Sequence, residues 1–135
     1  MLAILIKIVK VICDTSFLMV LVSKPTRQLD TIESDLGKLC FIVPDIVLDE
    51  LKRIQALAGP KRSMIAKTAI EIAHSKFKLV KLTQSKSVDD AIFDYARTNK
   101  CAAATLDENL KKKLIQIEIL VFTLSKNRIM VANHS

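Results

Sequence analysis

The fold is decided by residues 7–21, which read KIVKVICDTSFLMVL. The β-branched run at positions 8–12 is typical of a strand that is buried on both faces, as in the centre of a parallel sheet. The run ends at Asp14, and a new apolar segment follows after two hydroxyl residues. Ligands of open α/β sheets bind at the carboxyl ends of the strands, so Asp14 is a candidate functional residue. For a single Asp, capping of the next helix is the simpler interpretation.

Composition limits the class of protein. Half of the 135 residues are apolar and only 4% are aromatic, which predicts one domain, residues 1–135, with an aliphatic core. Lys and Arg number 21 against 14 Asp and Glu, a net charge of +7. A small basic domain favours a polyanionic partner, nucleic acid first. Because aromatic residues are too few for a base-stacking platform, we expect recognition of backbone and shape.

The cysteines and the apolar segment at the start of the sequence indicate the cellular compartment in which we expect the protein. Cys13, Cys40 and Cys101 lie in apolar runs without CxxC spacing, which favours small core residues in a reducing compartment over disulfides or a zinc site. Lys7 and Lys10 interrupt the apolar start, and no segment reaches the length of a membrane span without charges. We therefore expect a soluble, cytoplasmic protein that does not contact a membrane.

Apolar periodicity divides the chain into alternating elements. Strands are predicted at 8–12, 39–43, 77–82, 101–104, 117–124 and 128–131. Helices are predicted at 17–22, 26–36, 45–57, 62–75, 88–98 and 107–114. Strands that alternate with helices imply right-handed βαβ units, so we predict a three-layer α/β/α fold around a central, mainly parallel sheet.

Acidic residues recur where each parallel strand gives way to a helix. These acids are Asp14, then Asp45, Asp49 and Glu50, then Asp89 and Asp90, then Asp107 and Glu108. Acids in a first helical turn complement the helix dipole, which is the simpler explanation for any one of them. Together, however, like charges on one edge repel unless a cation lies among them. Mg²⁺ and Mn²⁺ prefer oxygen ligands, and two such ions roughly 4 Å apart promote phosphodiester cleavage.

Four segments resemble the successive motifs of PIN-domain ribonucleases. They are DTSFL (14–18), PDIVLDEL (44–51), VDDAI (88–92) and ATLDENLKKKL (104–114). The match runs in order across nearly the whole chain. The last motif, followed by IEILVFTL, is similar to archaeal relatives of the PIN nucleases that process small-subunit ribosomal RNA. The resemblance implies a parallel sheet with helices on both sides and cleavage of RNA that depends on Mg²⁺ or Mn²⁺.

The resemblance also implies roles for individual residues. It assigns catalysis and metal binding to four acids: Asp14, Glu50, Asp89 and Asp107. Supporting hydroxyl positions match Thr15 and Thr105. The pattern acid-x-x-Ile, which ends at Ile92, favours Asp89, and Asp90 stays the alternative ligand. We expect metal-activated water to attack phosphorus in line, without a histidine, and to leave 5′-phosphate and 3′-hydroxyl ends.

Basic residues near these motifs are candidates for binding the RNA substrate. We rank the run Lys111, Lys112 and Lys113 first because it lies next to Asp107 in the sequence. The other candidates are the pair Lys61 and Arg62 and the group Lys76, Lys78, Lys81 and Lys86. A run of charges is more commonly a solvated helix face, which is the alternative interpretation for these groups.

Other functions share parts of this pattern. A toxin of a toxin–antitoxin pair would carry the same fold and acids, and an RNA-binding scaffold would keep the fold without cleaving. A receiver domain requires paired acids at the first strand, and a DxD phosphatase requires an acid at Ser16. The aliphatic composition and the resemblance both favour a homodimer, and an antitoxin or a ribosome-assembly protein is a possible partner.

Overall fold

The chain forms alternating strands and helices in a computed structural model that describes residues 7–23, 37–82, 87–125 and 128–133. The strands are β1 (Ile8–Cys13), β2 (Lys38–Pro44), β3 (Lys78–Val80), β4 (Ala102–Ala104), β5 (Val121–Ser125) and β6 (Arg128–Val131). The helices are α1 (Thr15–Val22), α2 (Asp45–Leu57), α3 (Pro60–Lys76), α4 (Val88–Asn99) and α5 (Glu108–Gln116). The helix predicted at 26–36 lies outside the described residues, and so do residues 83–86.

The described strands form a six-stranded sheet in the order β3-β2-β1-β4-β5-β6. All neighbouring strands are parallel except β5 and β6, which are antiparallel. Strand β1 lies in the middle, and its Val11 is in register with Phe41 of β2 and Ala102 of β4. The chain builds outward from β1 to β3 and then returns to the other side of β1 at β4. The carboxyl ends of β1 and β4 therefore form the topological switch point of the sheet.

Helices cover both faces of the sheet. Right-handed crossovers place the helices that follow β1 and β2 on one face and those that follow β3 and β4 on the other. Accordingly, α1 packs against α2 and α3, while α4 packs against α5 and contacts β1 and β4. Val11 and Ile12 are fully buried between these layers, which explains the β-branched composition of β1. The predicted three-layer fold is confirmed. None of the described helices is long and apolar enough to cross a membrane.

The strand predicted at 117–124 is wrong over its first half. Helix α5 ends in a Schellman turn, in which the Ile119 amide donates to the Leu114 carbonyl at 3.0 Å and the Glu118 amide to the Ile115 carbonyl at 2.9 Å. Glu118 adopts the left-handed conformation, with φ of 63°, that glycine usually supplies in this turn. The apolar pattern resembled a strand because the turn contains no glycine, and β5 begins only at Val121.

The strand predicted at 77–82 is also shorter than expected. β3 comprises Lys78–Val80 and pairs only with the last three residues of β2. As an edge strand it exposes Lys78 and Leu79, in keeping with the short, Lys-bearing edges that resist pairing with other chains.

Candidate active site

Asp14 lies where β1 ends and α1 begins, and its side chain is only 4% exposed. Its Oδ1 accepts hydrogen bonds from the Phe17 amide at 2.8 Å and from the Ser16 hydroxyl at 3.1 Å. Phe17 is fully buried and packs against Phe41, with ring centroids 6.1 Å apart, so the first turn of α1 is anchored in the core. The capping interpretation of Asp14 is thus correct for one of its two oxygens.

The second oxygen of Asp14 connects the site to β4. Its Oδ2 accepts a hydrogen bond from the hydroxyl of Thr105, which is fully buried directly after β4. The same Thr105 oxygen accepts from the Asp107 amide at 3.1 Å, and Asp107 Oδ1 in turn caps α5 by accepting from the Leu110 amide at 2.8 Å. A continuous chain of hydrogen bonds therefore links the carboxyl ends of β1 and β4.

Helix capping does not account for the other two candidate acids. Helix α4 is capped by Ser87, whose hydroxyl accepts from the Asp90 amide at 3.1 Å, so the carboxylate of Asp89 is not its cap. Glu50 lies beyond the first turn of α2, where it is half-buried and lines a groove beside α1. These acids extend from opposite faces of the sheet, because α2 and α4 belong to different layers.

The acids influence one another electrostatically. Burial raises the pKa of Asp14, hydrogen bonds from Thr105, Phe17 and Ser16 oppose that rise, and the negative charge of Asp89 adds to it. The pKa of Asp89 is also raised, first by loss of solvent and then by the charges of Asp107 and Asp90. Glu50 adds to the rise at Asp89, whereas the Lys113 ammonium opposes it. The carboxyl edge between α2, α4 and α5 therefore carries a cluster of mutually repelling acids.

This cluster fits a hard divalent cation in its chemistry. Its donors are all oxygens, and a cation would relieve the repulsion that raises the pKa of Asp89. Across residues 7–23, 37–82, 87–125 and 128–133, no group of three or more His, Cys, Asp or Glu side chains is close enough to hold one ion. Binding would thus require side-chain rotation, for which the exposed Asp89 and Asp107 have room and the buried Asp14 has little.

The predicted supporting and RNA-binding residues differ in their surroundings. Thr15 is buried, and among the described residues its hydroxyl has no hydrogen-bond partner. Lys111 is largely covered and pairs with Glu108 at 2.8 Å, while Lys112 and Lys113 are exposed. Arg62 lines the groove beside Glu50, whereas its neighbour Lys61 is exposed and does not.

Sequence reasoning missed two residues of this region. The hydroxyl of Ser16 holds Asp14, and Arg53 lines the same groove as Glu50. The sequence contains a signal for Arg53, because it lies three residues after Glu50 and residues three apart share a helix face.

The fold and the site together define the class of protein. It is an α/β domain with carboxylates at the switch point of a mainly parallel sheet. Within this class, a family model described as a PIN-like domain matches residues 11–127. The chain belongs to the PIN-like domain family, as its four motifs predicted.

Solved structures share the fold. The PIN domain endonuclease Utp24 is 23% identical, with a TM-score of 0.73, over 93% of this chain and 92% of that one. A domain of a functionally unknown protein from Methanocaldococcus jannaschii is 20% identical, with a TM-score of 0.58, over 93% and 98% of the two chains. VapBC2 from Rickettsia felis, bound to a promoter DNA fragment, is 12% identical, with a TM-score of 0.58, over 86% and 99%. No curated protein matches the chain.

Proposed function

We propose that this protein is a metal-dependent endoribonuclease that hydrolyses RNA phosphodiesters at the carboxyl edge of its sheet. The observation that carries this proposal is the acid cluster around Asp14. A buried carboxylate is costly, and the charge that adds to the rise in the pKa of Asp14, that of Asp89, is negative. Membership of the PIN-like family supports the same reaction, because the family model spans residues 11–127 and so includes all four acids.

The proposed metal ligands are Asp14, Glu50, Asp89 and Asp107, with Asp90 as the alternative to Asp89. Bound Mg²⁺ or Mn²⁺ would activate water and stabilise negative charge on the phosphate. Ser16, Thr105 and the Phe17 amide orient the Asp14 carboxylate. In the reaction, the attacking water forms a P–O bond and loses a proton, the P–O3′ bond breaks, and the 3′ oxygen takes up a proton, which leaves a 5′-phosphate and a 3′-hydroxyl.

Cleavage of labelled RNA is the experiment that tests this function. Structured and unstructured RNAs are incubated with Mg²⁺, Mn²⁺ or EDTA, with the wild type beside Asp14→Asn. We expect cutting with either metal, none in EDTA, and a rate about 1,000-fold lower in the variant, which corresponds to about 4 kcal/mol of barrier. Cutting that survives Asp14→Asn would show that the acid cluster is not the active site.

We further propose ribosomal RNA as the substrate, with a toxin role as the alternative. The resemblance of residues 104–114 to rRNA-processing PIN nucleases supports the first, and the likeness of fold to VapBC2 supports the second. Ribosomal precursor RNA and messenger RNA in parallel reactions distinguish the two. Growth arrest on expression that is relieved by a cognate antitoxin would favour the toxin.

A homodimer is part of the same proposal. Leu57 and Met64 near the α2–α3 turn are 78% and 60% exposed, and such apolar residues are commonly covered in an assembly. Light scattering during size-exclusion chromatography measures the mass directly. A mass near 15 kDa at micromolar concentration would contradict the dimer.

A further inference from the structure

A groove beside the acid cluster has the features of a nucleotide subsite. It lies between α1, α2 and α3 and has a volume of about 580 Å³, within the range of small-molecule sites. Its lining comprises Thr15, Ser16, Met19, Val20, Ser23, Glu50, Arg53, Ile54, Arg62 and Ile65, and we call it the α1–α3 groove.

The α1–α3 groove is continuous with the proposed active site. Thr15 and Ser16 directly follow Asp14, and the Ser16 hydroxyl donates to the Asp14 carboxylate. Glu50 belongs both to the lining of the groove and to the acid cluster that raises the pKa of Asp89. A chain bound in the groove would therefore lead straight to the metal ligands.

The charges of the α1–α3 groove favour a phosphate. Arg53 and Arg62 are exposed at its side, and neither forms an ion pair with an acid in the described part of the chain. Glu50 is the one acid among the described lining residues. Guanidinium groups bind phosphate oxygens in pairs of hydrogen bonds, so two unpaired arginines suit a phosphodiester better than a neutral or cationic ligand.

The floor of the groove favours a nucleotide over a free phosphate. Met19, Ile54 and Ile65 provide an apolar surface against which a base or ribose can pack. The buried hydroxyl of Thr15 belongs to the same lining and lacks a hydrogen-bond partner among the described residues. An apolar floor carries no pattern of donors and acceptors, so the subsite would not select a particular base.

We propose that the α1–α3 groove binds one nucleotide of single-stranded RNA next to the cleaved phosphodiester, with Arg53 and Arg62 on its phosphate. This inference rests on the proposed nuclease function, which supplies the RNA. It adds Arg53 to the residues that position the substrate, and it assigns Arg62 to the phosphate of the bound nucleotide.

RNA binding without cleavage tests the subsite directly. In an Asp14→Asn background with EDTA, the affinity for a fluorescent, unstructured 12-nucleotide RNA is measured by anisotropy at several salt concentrations. The variant is Arg53→Gln with Arg62→Gln. The matched control is Lys10→Gln with Arg97→Gln, which removes the same charge from a cleft at the opposite edge of the sheet.

We expect the groove variant to bind about tenfold more weakly and the control to stay within about twofold of the parent. Loss of this one neutralised phosphate should also reduce the slope of log K against log salt by about 0.7. Equal losses in both variants would mean a general charge effect and would overturn the subsite. Unchanged binding in the groove variant would overturn it too, and the groove would then suit a protein partner.

A minimal substrate separates the subsite from the metal centre. Bis-p-nitrophenyl phosphate offers a phosphodiester without a neighbouring nucleotide. In the otherwise wild-type protein, the groove variant should hydrolyse this compound at the normal rate while its kcat/KM on RNA falls about tenfold. If both rates fall, the arginines serve the chemistry itself and the subsite is wrong. A wild type that cleaves neither compound would contradict the nuclease function, and RNA binding would still decide the subsite.

Discussion

The two edges of the sheet differ in the sign of most of their charges and in how deeply those charges are buried. At the carboxyl edge, Asp14 is buried, and the pKa values of Asp14 and Asp89 are raised by burial and by neighbouring acids. At the amino edge, a cleft of about 740 Å³ is lined by one acid, Glu118, and by four cations: Lys7, Lys10, Arg97 and Lys100. Its Arg97 pairs with Asp94 at 3.4 Å, and both side chains are about 60% exposed.

This difference indicates which edge performs chemistry. Exposed charges and exposed ion pairs change stability little, so the amino edge requires no functional explanation. Buried charges of one sign lower stability and are kept where a ligand or a reaction needs them. The carboxyl edge also coincides with the switch point between β1 and β4, where the topology opens a crevice. Electrostatics and topology thus select the same place independently.

The largest effect that tests this contrast is expected from substitutions at two neighbouring acids of helix α2. Glu50 and Asp49 are neighbours on α2, but Glu50 lines the groove and Asp49 is exposed. We expect Glu50→Gln to lower kcat/KM on RNA about a hundredfold, because it removes a proposed metal ligand, and Asp49→Asn to change it less than about twofold. Rates are measured across a range of Mn²⁺ concentrations. Equal losses in the two variants would show that the position of the carboxylate within the edge does not matter.

A smaller effect is expected when the hydrogen bond between Thr105 and Asp14, which joins the ends of β4 and β1, is removed. Thr105→Val keeps the shape of the side chain but leaves Asp14 Oδ2 buried without its donor. We expect the free energy of unfolding to fall by about 1–2 kcal/mol and kcat/KM to fall about tenfold. Denaturant melts and RNA cleavage measure the two quantities.

Two further variants control that measurement. Thr98→Val makes the same change on the exposed end of α4 and should alter neither quantity. Thr105→Ser restores the hydroxyl and should recover most of the activity. A Thr105→Val protein with wild-type rates would mean that Asp14 does not need this bond for orientation.

The sequence predicts the carboxyl edge well because its determinants are local. A β-branched run that ends at Asp14 predicts both the central strand and the point where the chain turns, and β1 confirms it. The alternation of elements predicts the parallel sheet, and the right-handed crossover rule then predicts which strand ends meet. The cap of α4 is equally local, because the Ser87 hydroxyl accepts from the amide of Asp90, only three residues away.

Other features depend on contacts that no local pattern contains. The bond between Asp14 and Thr105 joins residues 91 positions apart, and their partnership follows from the register of β1 and β4. The turn at Glu118 contains no glycine, the residue that would indicate such a turn in the sequence. The apolar run from residue 117 therefore predicts a strand where the structure has a turn. The α1–α3 groove is formed by three helices, and its charge depends on how their faces meet.

The smallest effect that would sharpen the contrast is the pH dependence of stability without metal. The folded pKa values of Asp14 and Asp89 lie above the ordinary value of 3.8, so the folded protein binds more protons than the unfolded chain between that value and the raised pKa. By linkage, the free energy of unfolding then falls as pH rises through this window and levels off above it. Asp89→Asn removes one titrating group and its repulsion of Asp14, so the fall should become shallower.

The expected gain for Asp89→Asn at pH 7 is on the order of 0.5 kcal/mol, since the side chain is exposed and solvent screens its repulsion. Denaturant melts at pH 4.5 to 7.5 in EDTA measure it, with Asp94→Asn as the control farther along α4. Because a cation replaces the repulsion with attraction, saturating Mg²⁺ should stabilise the wild type more than Asp89→Asn and reverse their order. A wild type whose stability rises with pH in EDTA would mean that cations of the protein already neutralise the acids, and the carboxyl edge would then have no need of a metal.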